Sequence, residues 1–508
     1  MKSNILKSSF IIIMLLAVSC EDDFLERQPL DSPSAETFWT SAVNAEFWVN
    51  NLYNGLATTD DAQFEAFSDN AFGRAALGAN RIANGTFEPI DPNVNRYWNF
   101  RKIRESLEFF EFIGQVPNIS QAKLDELSGQ VNFMVAYQYF RLITLYRDVP
   151  LVTHPLSIPE SDIPKSPKEE VLNYILEHLN LAIEQLPVNW PVNQTGRFTK
   201  GAALALKARV LLYNERWAEA AAAAKQVMDL NEYELHPKFE ELFLQSFNNQ
   251  TKEVILARQY AKDVEINTMN RNYAPVSMGG FALILPTAEL EKSYEMIDGL
   301  TIEESPLFDP MNPFSNRDPR YFATFLYPYS NLNGVVYNPF GSDQRFSITW
   351  LYFRKYTGEL RARAEWQSYV NWIIFRYADV LLMYAEAKNE ESGPDPSVYD
   401  VLDKIRMRAG MPRVDRVKYG NQSTLRTFIR NERRVELAGE GLRYFDILRW
   451  RIAEETLNVQ LKSLYVPGLL PENNIELRVF NPNRHYVWPI PQDAIDRAKN
   501  LEQHPEWR

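Results

Sequence analysis

Apolar residues recur at helical spacing along most of the chain. From Ala35 to Tyr53 they form a broad face of Phe38, Trp39, Val43, Phe47 and Leu52, which predicts a helix. The same texture returns over Tyr97 to Phe112, where Trp98 reads as a helical core residue, and over Gln121 to Tyr146. In "SPKEEVLNYILEHLNLAIEQLP" the expected N-cap is Ser166, with Pro167 at the first helical position and Glu169 three beyond the cap, the pattern of a capping box. Val171, Leu172, Ile175, Leu179, Ala182, Ile183 and Leu186 keep the helical stripe until Pro187 stops it.

Lys200 to Leu230 adds a second kind of pattern. Small residues at Ala208, Ala220 and Ala224 flank a turn at "YNERW", and antiparallel helices need small side chains where their backbones approach. "FRYADVLLMYAEAKNE" followed by "SVYDVLDKIRMRAG" predicts another such pair, so several hairpins are expected to stack as a scaffold. Two stretches break the rhythm. Thr58 to Asn95 is rich in Asp, Asn and Gly and reads as a long loop; about Asn267 to Arg363 is dense in Pro, Gly and Asn and predicts loops with a few short strands. No linker divides the chain, so one mainly α domain is expected over 35–508, with an N-terminal part to 260 and a C-terminal part from 261.

The N-terminus changes the picture. Lys2 and Lys7 precede an unbroken apolar run from Phe10 to Ala17, too short for a membrane span of roughly 20 residues, and Cys20 follows as the only cysteine among 508 residues. This resembles the lipobox of bacterial lipoproteins, with Ala17 where Leu is commonest. Residues 1–19 then read as a signal peptide, Cys20 as the lipidation site and 20–34 as a tether. A lipidated Cys20 leaves no thiol for disulfides, nucleophilic catalysis or zinc. Loss of the two signal-peptide lysines takes the formal charge from −12 to −14, which argues against nucleic acid as a partner.

Near the C-terminus stands "FIRNERRVELAGEGLRYFDILRW", residues 428–450. Glu432 and Glu436 share a helical face, Gly439 and Gly441 can break the helix, and Arg443, Asp446 and Arg449 are spaced to pair with one another. Read from the residues, the run is a partly buried ion-pair network rather than a carboxylate active site. With "NPFSNRDPRYF", "YRDVPLVT", "RFTKGAALALKARVLLY", "IRMRAGMP" and "YVWPIPQDAIDRAKNLEQHPEW", it resembles the SusD/RagB family of Bacteroidetes outer-membrane lipoproteins. The resemblance implies four tetratricopeptide-like helix pairs as a scaffold, with a loop-rich region packed over it. It also implies a surface-exposed, lipid-anchored protein that captures an oligosaccharide and hands it to a SusC-like TonB-dependent transporter. A peptide- or glycopeptide-binding member of the family and a glycoside hydrolase are the competing readings.

Motifs for other chemistry are lacking. His154, His178, His236, His485 and His504 have no metal-ligand spacing, "GRFTKG" is not a phosphate loop, and no cofactor is expected. Asp309, Asn312, Asn316 and Asp318 carry oxygen atoms but do not match an EF-hand. Ligand contacts are therefore sought where aromatic and polar side chains share irregular backbone. The first loop offers Phe67, Asp69, Asn70, Phe72, Arg74 and Asn80; the second offers Tyr329, Asn331, Tyr337, Trp350 and Tyr352. Aromatic rings stack on the C–H faces of sugars, while carboxylate, amide and guanidinium groups fix the hydroxyls.

Overall fold

In a computed structural model the described residues are 38–360 and 367–508. The expected signal peptide, lipidation at Cys20 and tether lie outside them. Helices α1 (Ala42–Leu52) and α2 (Arg101–Phe112), α3 (Gln121–Tyr146) and α4 (Lys168–Gln185), α5 (Lys200–Tyr213) and α6 (Trp217–Asp229), and α7 (Tyr377–Ser392) and α8 (Pro396–Arg408) form four successive pairs. Each pair packs on the next. The small residues Ala208, Ala220 and Ala224 are fully buried, as close helix approach requires.

The chain leaves this stack after Asp229 and rejoins it at Tyr377, where α7 packs directly against α6. Helices α9 (Gln422–Glu436) and α10 (Arg443–Arg449) follow, with α9 lying on α7. The excursion carries most of the β-structure, all of it in two-stranded antiparallel ladders among the described residues. Strand β1 (Ala71–Gly73) comes from the first predicted loop, and β2 (Val254–Arg258) opens the excursion. β3 (Ile284–Pro286), β4 (Phe325–Leu326), β5 (Asn331–Leu332), β6 (Val335–Val336), β7 (Tyr352–Phe353) and β8 (Trp372–Arg376) follow. The pairs that matter for the site are β1 with β3, placing Phe72 opposite Leu285, and β4 with β7, placing Leu326 opposite Tyr352.

Three local expectations are corrected. Ser166 does not cap α4: it bridges Val149, Pro167 occupies the cap, and the Asp148 carboxylate accepts from the Lys168 backbone N–H at 2.9 Å instead. Trp98 is not helical, because a short helix ends at Tyr97 and α2 begins at Arg101; in the connector the ring packs edge-on to Tyr146 at 4.9 Å. The segment Thr58 to Asn95, expected as a long loop, is threaded through the interior and broken by short helical turns and β1. Residues 62–71 are buried continuously, since short helical turns and β1 satisfy the backbone there without a long regular element.

Candidate functional site

The two predicted loops meet. β1 pins Phe72 against a second apolar cluster that contains Leu285, Leu326, Leu332, Tyr337 and Tyr352, and the next residue but one, Arg74, reaches across to the second loop. Its backbone N–H donates to Leu283 O at 2.9 Å, its Nε donates to Ala282 O at 2.8 Å, and its terminal N–H donates to Phe346 O. The guanidinium lies 5.4 Å from the Phe346 ring centre, and that of Arg345 lies 5.8 Å from the same centre. Beside Ala282, Phe281 is 54% exposed, with its backbone N–H held by Arg271 O. Gly341, Ser342, Gln344 and Arg345 line a concavity of about 460 Å³.

The second loop contributes support and surface in turn. Tyr337 and Tyr352 are buried and meet edge to face at 5.1 Å; the Tyr337 hydroxyl is shared with Ser347 Oγ, and burial pushes both phenols above their ordinary pKa. Trp350 is almost buried, donates through Nε1 to Pro471 O at 3.1 Å, and packs against the exposed Phe340 at 5.8 Å. Tyr329 is half exposed, with its backbone N–H donating to Tyr337 O. Trp350 and Tyr329 hold φ of 66° and 64°, a region uncommon for bulky side chains, where strain costs on the order of 1–3 kcal/mol and gathers at functional surfaces. Asn331 is exposed and closes its own turn, accepting from Gly334 N–H.

Asp69 and Asn70 are structural instead. Asp69 pairs with Arg443 at 2.9 Å and Arg434 at 2.9 Å; burial alone would raise its carboxyl, but the two guanidinium groups outweigh that and hold it well below the usual carboxylate range. Asn70 donates to Glu65 Oε2 and accepts from Arg434 Nε. Phe67, Asp69, Asn70, Tyr337 and Tyr352 are all buried, so these expected ligand contacts lie instead in the interior that carries the site. Phe281, Phe340, Arg345 and Phe346 went unnamed in the sequence reading. Each adjoins a turn signal already visible there, "GGF", "NPFG" and "SDQRF".

The charged segment 428–450 is a buried lattice. Glu432 binds Arg320 and Arg406; Glu436 binds Arg320, Arg376 and Arg408; Arg433 binds Asp379 and Asp446. Asp446 and Arg449 pair as their spacing predicts, whereas Arg443 turns to Asp69. Gly441, at φ 76°, gives its N–H to Glu65 Oε1 at 2.8 Å, where a Cβ would press on Asp61 O at 2.8 Å. Asp318 is likewise internal, pairing with Arg320, and Asp309 accepts from Met311 N–H, so both carboxylates of the oxygen-rich stretch are engaged within the chain. A larger cavity, about 560 Å³ between the end of α3 and α10, is lined by Arg147, Arg449 and Arg484, paired with Glu506, Glu386 and Glu88, together with Lys168 and Arg451, the last lying over the Tyr486 ring.

Comparison with known proteins fits this arrangement. A family profile described as the SusD family matches residues 243–507, and one described as "Starch-binding associating with outer membrane" matches 23–212. A SusD-like protein of Formosa agariphila is 26% identical over 97% of this chain and 98% of its own length. Two crystal structures from Bacteroides fragilis superpose on the fold. A SusD-like protein has a TM-score of 0.83 at 28% identity, covering 94% of this chain and 100% of that one. A SusD-like carbohydrate binding protein has a TM-score of 0.84 at 29% identity, covering 92% and 100%. Helix-pair scaffold, C-terminal ion lattice and whole-length similarity agree, and the chain belongs to the SusD family.

Proposed function

We propose that this is a non-catalytic glycan-binding lipoprotein, anchored through Cys20 at the surface of the outer membrane, that captures oligosaccharides and delivers them to a SusC-like TonB-dependent transporter. The observation that carries the binding step is the meeting of Arg74 and Arg345 over the one Phe346 ring, with Phe281 exposed beside the Ala282 carbonyl that holds Arg74. Rings and planar hydrogen-bond donors on a rigid floor match what a sugar offers, a C–H face with hydroxyls at its rim. The similarity to a carbohydrate binding protein at 29% identity supports the ligand class. The absence of turnover is supported by the state of the nearby carboxylates: Asp69 is tied to two arginines, and Asp343 is buried and accepts from Ser277. A pair of free carboxyl groups across a scissile bond is what hydrolysis of a glycoside requires.

Titration of the detergent-solubilised full chain against a panel of polysaccharides, with reducing ends assayed in parallel, tests the reading. Binding without release of reducing ends is expected; release overturns the non-catalytic assignment, and binding to peptides alone replaces the glycan. Delivery is tested by affinity capture from solubilised native outer membranes. Recovery of a TonB-dependent transporter is expected, and its absence rejects the delivery role. Incorporation of labelled fatty acid, lost in Cys20→Ser, checks the anchor.

A further inference from the structure

The formal charge of the chain is −12, yet two arginines stand at the loop surface, Arg74 and Arg345. Arg74 is held by two backbone carbonyls and lies over Phe346; Arg345 is exposed over the same ring; neither has a carboxylate partner among the described residues. Arg271, whose carbonyl holds Phe281, keeps a buried Nε without a partner. The carboxylate nearby, Asp343, is buried and occupied by the Ser277 N–H at 2.8 Å and the Ser277 hydroxyl. Elsewhere in this molecule buried guanidinium groups are met by carboxylates, as around Glu436. A partly desolvated guanidinium left without an anion is unfavourable unless a ligand supplies one, and its planar fork matches carboxylate and sulfate oxygens bidentately.

We infer that this surface selects acidic glycans, with Arg74 and Arg345 binding carboxylate or sulfate groups on a saccharide whose ring faces stack on Phe346 and Phe281. The inference rests on the glycan-binding reading above and narrows its ligand class. The negative charge of the whole chain repels a polyanion at long range, so discrimination arises at contact and weakens as salt screens the pairs.

The test is calorimetric titration of the full chain with sodium polygalacturonate, a sulfated galactan and neutral amylose, each at low and high sodium chloride. At low salt one acidic polymer is expected to bind tighter than amylose by about tenfold or more, the scale of one charge-assisted hydrogen bond, and the preference should shrink at high salt. The uronate and sulfate arms decide which anion is preferred. Arg345→Gln, at an exposed position, should remove about tenfold of the acidic affinity and a smaller share of any amylose affinity, so that the preference for the acidic polymer shrinks. Arg74→Gln should act in the same direction, with circular dichroism confirming that the loops remain folded. Equal affinity for amylose and both acidic polymers without salt dependence, or unchanged acidic affinity in Arg345→Gln, overturns the acidic selectivity while leaving glycan capture intact. Failure of all three polymers to bind overturns the selectivity together with the glycan reading.

Discussion

Two arginine-rich regions lie at opposite extremes of the same chemistry. Around α9, Arg320, Arg376, Arg406, Arg408 and Arg433 are all but inaccessible, and each meets at least one carboxylate. At the loop surface, Arg74 and Arg345 meet carbonyl oxygen and aromatic ring and have no carboxylate partner among the described residues. A buried charge must be paired because desolvation costs several kcal/mol, so the lattice specifies how the C-terminal segment docks on the helical stack. A charge at the rim of a concavity retains water and can exchange it for a ligand. The residue type is the same; burial and partner decide whether it builds the fold or serves the surface.

The sharpest way to break the comparison is to unbalance the lattice. Glu436→Gln keeps the volume but leaves Arg320, Arg376 and Arg408 short of a shared anion, and a loss of about 3–5 kcal/mol is expected in urea unfolding. Little change would mean that the lattice is not structural. Trp350→Ala should cost nearly as much, about 3 kcal/mol, because the ring is 6% exposed and anchors the loop to Pro471. Wild-type stability in that variant would show the loop to be independent of its floor.

Acid provides the next test. Burial alone would raise the Asp379 carboxyl, but Arg209 and Arg433 hold it down at about 2. The folded chain therefore binds this proton less readily than the unfolded chain, whose carboxyl titrates near its ordinary value. The contribution, on the order of 2 kcal/mol, is complete above about pH 4 and is lost as the pH falls towards 2. Asp379→Asn should flatten that part of the stability profile, and an unchanged slope would remove Asp379 as its source. The smallest expected effect on stability is at the surface. Phe340→Ala and Arg345→Gln should each unfold within about 0.5 kcal/mol of wild type, since both side chains are exposed, and any deficit they show should appear in binding.

Much of the scaffold was legible because its signals are local. The stripe and stop of α4, the small residues of the α5–α6 hairpin and the matching texture of α7 and α8 report helix and partner within a few turns. Caps were less secure. Ser166 had the right neighbours in sequence, yet Asp148, brought in by the preceding loop, took the backbone donor. The site was half legible for the same reason. Arg74 in the first loop and the aromatic residues of the second were recognisable as candidates, but nothing local distinguishes Asp69, tied to two arginines several hundred residues away, from Arg74, left with two carbonyls.

Local spacing along the sequence determined the helical hairpins, the family blocks and the expected lipid attachment at Cys20, because each is written over a short run of residues. The tertiary structure alone decided which polar side chains are spent and which are free. Burial and pairing are set by contacts between segments far apart in the chain, and those contacts placed Asp69 and Tyr337 in the floor and Arg345, Phe346 and Phe281 on the surface above it.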